Sequence, residues 1–175
     1  MTHWIALLRG VNVGGITIRS ADLRDLVAGL GFTGVRTVLA SGNVAFESDR
    51  ADAARLKRDI ERALSDRFGY EAWIILLTAD RLRSIVEAFP FDATDASRQP
   101  YVVFASEPPV VDALLEAMGE PDPDADPLER GEDVVYWNPV KGTTVDTPFA
   151  KVLAKPAFKP TTTNRNLRTL EKLLA

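Results

Sequence analysis

The chain has 175 residues, 46% of them apolar, enough to bury a hydrophobic core in one domain or in two small packed halves, which argues against disorder. Lys and Arg number 21 against 25 Asp and Glu, and the net charge of −4 disfavours a general binder of nucleic-acid backbones while leaving room for a local basic pocket. There is no cysteine, so disulfides, thiolate nucleophiles and Cys-ligated metals are excluded, and the composition fits a reducing compartment, the cytoplasm.

The opening Met1-Thr2-His3-Trp4-Ile5-Ala6-Leu7-Leu8 lacks a basic leader and its apolar run stops at Arg9, so it reads as a first strand rather than a signal peptide. No apolar stretch reaches the length of a membrane span. Gly10-Val11-Asn12-Val13-Gly14-Gly15 is a glycine-punctuated loop, and Ser20 is placed to cap a helix carrying Leu23, Leu26, Val27 and Leu30, with Gly31 as its stop. Residues 35–39 and 44–47 read as two strands joined by Ala40-Ser41-Gly42-Asn43, where Gly-Asn supplies the positive φ of a tight hairpin. Asp52 then caps a second helix marked by Leu56, Ile60, Leu64 and Phe68, and residues 72–77 form a fourth strand.

That order, βαββαβ, is the ferredoxin-like unit, with an antiparallel sheet and both helices on one face. A connecting helix carries Leu82, Ile85, Val86 and Phe89, and the polar, proline-bounded stretch 90–100 is the candidate boundary. Beyond it lie a strand at 101–105, a helix with Val111, Leu114, Leu115 and Met118, a loop at 119–127, a strand at 133–138, a short helix near 147–154, and a terminal helix from about Asn166. The expected architecture is α+β: a ferredoxin-like half at 1–90, a degraded ferredoxin-like half at 100–175, and a C-terminal helix.

Three polar segments stand out. Arg9 followed by the 10–15 loop can turn backbone N–H groups and a guanidinium toward a phosphate or carboxylate, although a tight turn alone also explains the glycines. The segment matches neither the dinucleotide nor the Walker pattern. Ser41-Gly42-Asn43 is explained by hairpin chemistry except for Ser41, whose hydroxyl could hold a ligand or a loop but has no partner histidine to activate it as a nucleophile. Thr161-Thr162-Thr163-Asn164-Arg165-Asn166 reads as a capping run, but Arg165 in a first helical turn opposes the macrodipole and suggests an anionic partner.

Other features have plainer accounts. His3, the single histidine, makes neither a metal site nor a triad alone. Asp122, Asp124 and Asp126 alternate with prolines in what reads as a solvated loop without calcium-loop spacing. Lys141-Gly142-Thr143-Thr144 reads as a surface turn, and Trp4, Trp73 and Trp137 fall in strands where core packing explains them.

Arg9-Gly10-Val11-Asn12-Val13-Gly14-Gly15, Ala21-Asp22-Leu23-Arg24 and Ser41-Gly42-Asn43-Val44-Ala45-Phe46, in that order, resemble the domain of unknown function 1697 family. Thr163-Asn164-Arg165-Asn166-Leu167-Arg168-Thr169 resembles its closing motif, with Asn164 where the family has Thr and Leu167 where it has Trp. The resemblance implies a compact α+β fold with ferredoxin-like halves and brings no activity, substrate or cofactor with it.

The leading functional expectation is a binding module for a small anionic ligand, phosphorylated or nucleotide-like, built from Arg9, Asn12, Gly14, Ser41, Asn43, Arg165 and Asn166. No metal ligands, cofactor or catalytic group can be named. Two alternatives stay open: a protein-interaction or homodimerisation module using a sheet face or edge, and an RNA-binding sheet, which the negative charge and absent aromatic pattern disfavour.

Overall fold

In the computed structural model, which describes residues 1–10, 16–39 and 42–175, the apolar run at the start of the chain becomes the central strand β1 (Thr2–Leu8) of an antiparallel sheet. It is flanked by β3 (Asn43–Ser48) and β4 (Ile74–Thr78), and β2 (Thr33–Thr37) pairs with the outer side of β3, giving the order β2-β3-β1-β4. Helices α1 (Ser20–Gly29) and α2 (Ala53–Phe68) complete the βαββαβ order. Trp4, Ala6 and Leu8 share one face of β1, as a two-residue period requires, and pack with Val44 and Phe46 against Leu23, Val27, Leu56, Ile60 and Leu64. Each such fully buried aliphatic side chain contributes about 1.5–3 kcal/mol relative to exposure.

Helix α2 starts at Asp52, whose carboxylate accepts the Arg55 N–H at 3.1 Å, and stops at Gly69, whose φ of +69° glycine adopts at little cost. At α1 the sequence expectation needs correcting: Ser20 is already helical and its hydroxyl donates to Leu39 O at 3.2 Å, while Arg19 holds the cap position without a capping bond. Arg19 instead pairs with Asp22 at 2.9 Å, in the first turn.

Tyr70 packs against this core with its hydroxyl buried and no hydrogen-bond partner among the described residues. Burial, with the charge of Glu61 adding to it, pushes its phenol up to about 12. The folded value lies above the unfolded value of about 10, so the stability this phenol confers is complete below that pH and is lost as the pH rises through the folded value. In an ultraviolet difference titration, Tyr70→Phe should remove an ionisation step near pH 12; loss of a step near 10 instead would contradict the burial argument.

The second sheet repeats the pattern. Strand β5 (Tyr101–Ala105) lies between β7 (Val134–Trp137) and β8 (Thr162–Asn166), and β6 (Leu128–Arg130) pairs with the outer side of β7, giving β6-β7-β5-β8. With α4 (Pro108–Met118) and α5 (Pro148–Leu153) this half too is βαββαβ, and Val103, Val135 and Trp137 pack with Val111, Leu114, Phe149 and Val152. Strands β6 and β8 were not expected from the sequence. Both are edge strands, β6 with only three residues and β8 reading Thr-Thr-Asn-Arg-Asn, and polar edges carry no apolar alternation to read.

The remaining helices are α3 (Ala79–Glu87) and α6 (Leu167–Leu174). The chain forms two compact units, Met1–Ser84 with Thr169–Ala175, and Ile85–Arg168. Sequence order groups the end of α6 with the second half, whereas its packing groups it with the first unit. Among the described residues no helix is long and apolar enough to cross a membrane.

Candidate functional site

In the first unit, β1 ends where β3 and β4 begin. The Leu8 N–H donates to Gly42 O at 2.8 Å and the Arg9 N–H to Trp73 O at 3.1 Å, so the chain is pinned on both sides as it leaves the sheet. Gly10, with φ of +73°, then turns the backbone toward the glycine-rich segment. Arg9 is half-buried, and burial holds its guanidinium below the ordinary arginine value while leaving it cationic at neutral pH.

Asn43 stands at the same end of the sheet, paired two residues before Arg9 with Leu7. It is fully buried; its Nδ2 donates to Val38 O at 2.9 Å and its own carbonyl accepts the Val38 N–H at 3.0 Å, so the side chain closes the β2–β3 turn. Asn12, Gly14 and Ser41 lie outside the described residues.

Arg165 and Asn166 belong to the second unit. Arg165 lies in β8, paired with Val102, and not in the first turn of a helix, so the macrodipole argument made from the sequence lapses. The residue is only 6% exposed, desolvation pushes its guanidinium down to about 10, and its Nη1 donates to Thr163 Oγ1 at 2.6 Å and Asn164 O at 3.0 Å. Asn166 accepts the Arg168 N–H at 2.8 Å and so caps α6, the capping role anticipated for this run.

Sequence reasoning missed a cavity of about 570 Å³ in the first unit, lined by residues that include His3, Arg36, Glu47, Asp80 and Arg83. None of Arg9, Asn43, Arg165 and Asn166 lines it. His3 and Glu47 are paired positions on β1 and β3, with Nδ1 and Oε1 3.3 Å apart, and Arg83 donates to Asp80 at 2.8 Å. Forty-four positions separate His3 from Glu47, and only the strand register brings them together. Among the described residues no group of three His, Cys, Asp or Glu side chains is placed to hold a metal ion.

The class defined by this fold is a protein of two βαββαβ halves, each built on a four-stranded antiparallel sheet. The chain belongs to the family described as Protein of unknown function (DUF1697), whose profile matches residues 1–136 and so takes in the Arg9 loop and the Ser41-Gly42-Asn43 turn. The closing segment at 163–169 lies beyond the matched residues. Among solved structures the chain is similar to the conserved bacterial protein SP0830 from Streptococcus pneumoniae, with a TM-score of 0.81 and 24% identity over 99% of this chain and 96% of that one. That likeness speaks for the fold alone. No curated protein matches the chain.

Proposed function

We propose that this protein binds a small anionic ligand, phosphorylated or nucleotide-like, at the end of the first sheet where Arg9 enters the glycine-rich segment. The observation that carries the reading is the placement of Arg9: a partly desolvated guanidinium on a backbone pinned to the neighbouring strand, next to a glycine already in the left-handed region. Desolvation strengthens the attraction of a guanidinium for a phosphate or carboxylate, and successive N–H groups of a glycine-rich turn complement it. Asn12, Gly14 and Ser41 are the further groups of the proposal. Asn43 supports it indirectly by tying the start of β3 to Val38, just beyond β2. Arg165 and Asn166, included in the expectation from the sequence, hold structural bonds within the second unit, and the reading does not depend on them. A cytoplasmic setting belongs to the same proposal, supported by the absence of cysteine.

A thermal-shift screen against nucleotides, sugar phosphates, polyphosphates and dicarboxylates tests it, because a ligand that prefers the native state raises the apparent stability. The expected result is a saturable shift for one anion class, with Arg9→Ala weakening that anion by about tenfold or more, the loss of a charge-assisted contact. Affinity unchanged in Arg9→Ala would sink the assignment.

A further inference from the structure

We infer that the anion held at Arg9 is a free nucleotide whose base stacks on Trp73; this rests on the reading of Arg9 above and adds to it the class of ligand. The sequence puts Trp73 in a strand and explains it by core packing, whereas the structure places it one residue before β4 and half-buried. The other two tryptophans, Trp4 and Trp137, are 5% and 1% exposed, each in the core of its own unit.

The place of Trp73 beside Arg9 follows from the sheet. The Arg9 N–H donates to Trp73 O at 3.1 Å, which carries the β1–β4 register, with Leu8 opposite Ile74, one residue further. Leu8, Ala72 and Ile74 all pack into the core that the sheet forms with α1 and α2. Side chains alternate along extended chain, so Arg9 after Leu8, and Trp73 between Ala72 and Ile74, leave the sheet on its opposite face. Residues directly opposite in antiparallel strands have Cβ atoms about 4.5–5.5 Å apart, near enough for a guanidinium and an indole to meet one ligand. Lys57 of α2 sets its ammonium over the indole, 5.7 Å from the ring centroid, and is itself paired with Glu61 at 2.6 Å. The ring is thus positioned by a cation while part of it stays in solvent.

An aromatic surface beside a guanidinium selects among anions. Inorganic phosphate, a polyphosphate or a dicarboxylate uses the guanidinium alone and leaves the indole wet. A nucleotide sets its phosphate on Arg9 and lays its base on Trp73, which takes apolar surface of both rings out of water. Stacking tolerates any base, so the pair selects for the presence of a base more than for its identity. The net charge of −4 speaks against a strand of nucleic acid, which leaves a single nucleotide as the ligand.

The test is titration of the full chain, by calorimetry and tryptophan fluorescence, with two matched pairs: AMP against ribose 5-phosphate, and ATP against tripolyphosphate. At least one nucleotide is expected to bind about tenfold or more tightly than its base-free partner and to quench part of the fluorescence. Trp73→Leu should bring the nucleotide down to the level of that partner and leave the partner's own affinity unchanged, which also shows the variant to be folded. Trp73→Phe, which keeps a ring, should retain most of the gain, and Arg9→Ala should weaken nucleotide and base-free partner alike. The inference is overturned, with the Arg9 reading intact, if the base-free partners bind as tightly as the nucleotides and lose affinity in Arg9→Ala, or if Trp73→Leu binds the nucleotide like the parent. An adenine trinucleotide that binds more tightly than AMP would also overturn it, making a nucleic-acid strand the ligand. If none of the phosphates binds at millimolar concentration, the phosphate reading of Arg9 falls and this inference falls with it.

Discussion

Asp126→Ala is expected to lower the stability of the second unit by about 3–5 kcal/mol, among the largest losses any single substitution will cause here. Asp126 is fully buried, and its two oxygens serve different elements: Oδ1 accepts Trp137 Nε1 at 2.9 Å and Oδ2 accepts the Phe149 N–H at 3.0 Å. One carboxylate thus ties β7 to the first turn of α5, where the Thr147 hydroxyl also accepts the Ala150 N–H at 3.2 Å. Alanine would strand two buried donors in the core formed by Trp137 and Phe149, whose rings meet edge to face at 5.2 Å. Asp126→Asn keeps an acceptor for one donor and opposes the other with its own N–H₂, so a cost of about 1–3 kcal/mol is expected. Urea unfolding followed by tryptophan fluorescence checks both values. A loss under about 1 kcal/mol for the alanine variant would mean that the carboxylate is not what braces β7 against α5.

Arg36→Ala should loosen the end of α6. Arg36 sits on β2, and its guanidinium donates to Lys172 O at 3.1 Å, which also accepts the Ala175 N–H at 3.3 Å, to Ala175 O at 2.9 Å and to Leu173 O, at the helix end where intrahelical partners for the carbonyls run out. A cation at that end also complements the helix dipole. Removing it is expected to cost about 1.5–3 kcal/mol and to speed amide exchange in the last turns of α6 by about tenfold or more. Arg36→Lys, which keeps the charge and loses the fork, should recover only part of the protection. Exchange rates in α6 unchanged by Arg36→Ala would show that the helix is held by Leu170 and Leu173 alone, both of them buried.

Much of the first half was legible because its signals are local. Asp52 caps α2 and Gly69 ends it, Leu56, Ile60 and Leu64 mark its buried face, and Gly42 takes the positive φ that the hairpin needed. The edge strands β6 and β8 were not legible: they are held by backbone pairing to β7 and β5, and nothing in their side chains announces it. The same polar run that concealed β8 made Arg165 look like a residue of a helix start, when it lies in a strand beside Val102.

The candidate sites divide in the same way. Arg9 beside a glycine-rich turn is a sequence feature, and the structure adds that its backbone is pinned and its charge partly desolvated. Asn43 was singled out for a ligand, and its side chain donates to Val38 O, just beyond β2; Asp126 was read as one of a solvated series, and it is the buried member while Asp122 and Asp124 are exposed.

Residues a few positions apart meet through fixed helical and strand periods, so helix faces, caps, turns and the βαββαβ order follow from the sequence alone. Burial, strand register and the pairing of Arg36 with carbonyls more than 130 positions away depend on which surfaces exclude water once the chain has folded, and only the tertiary structure decides them.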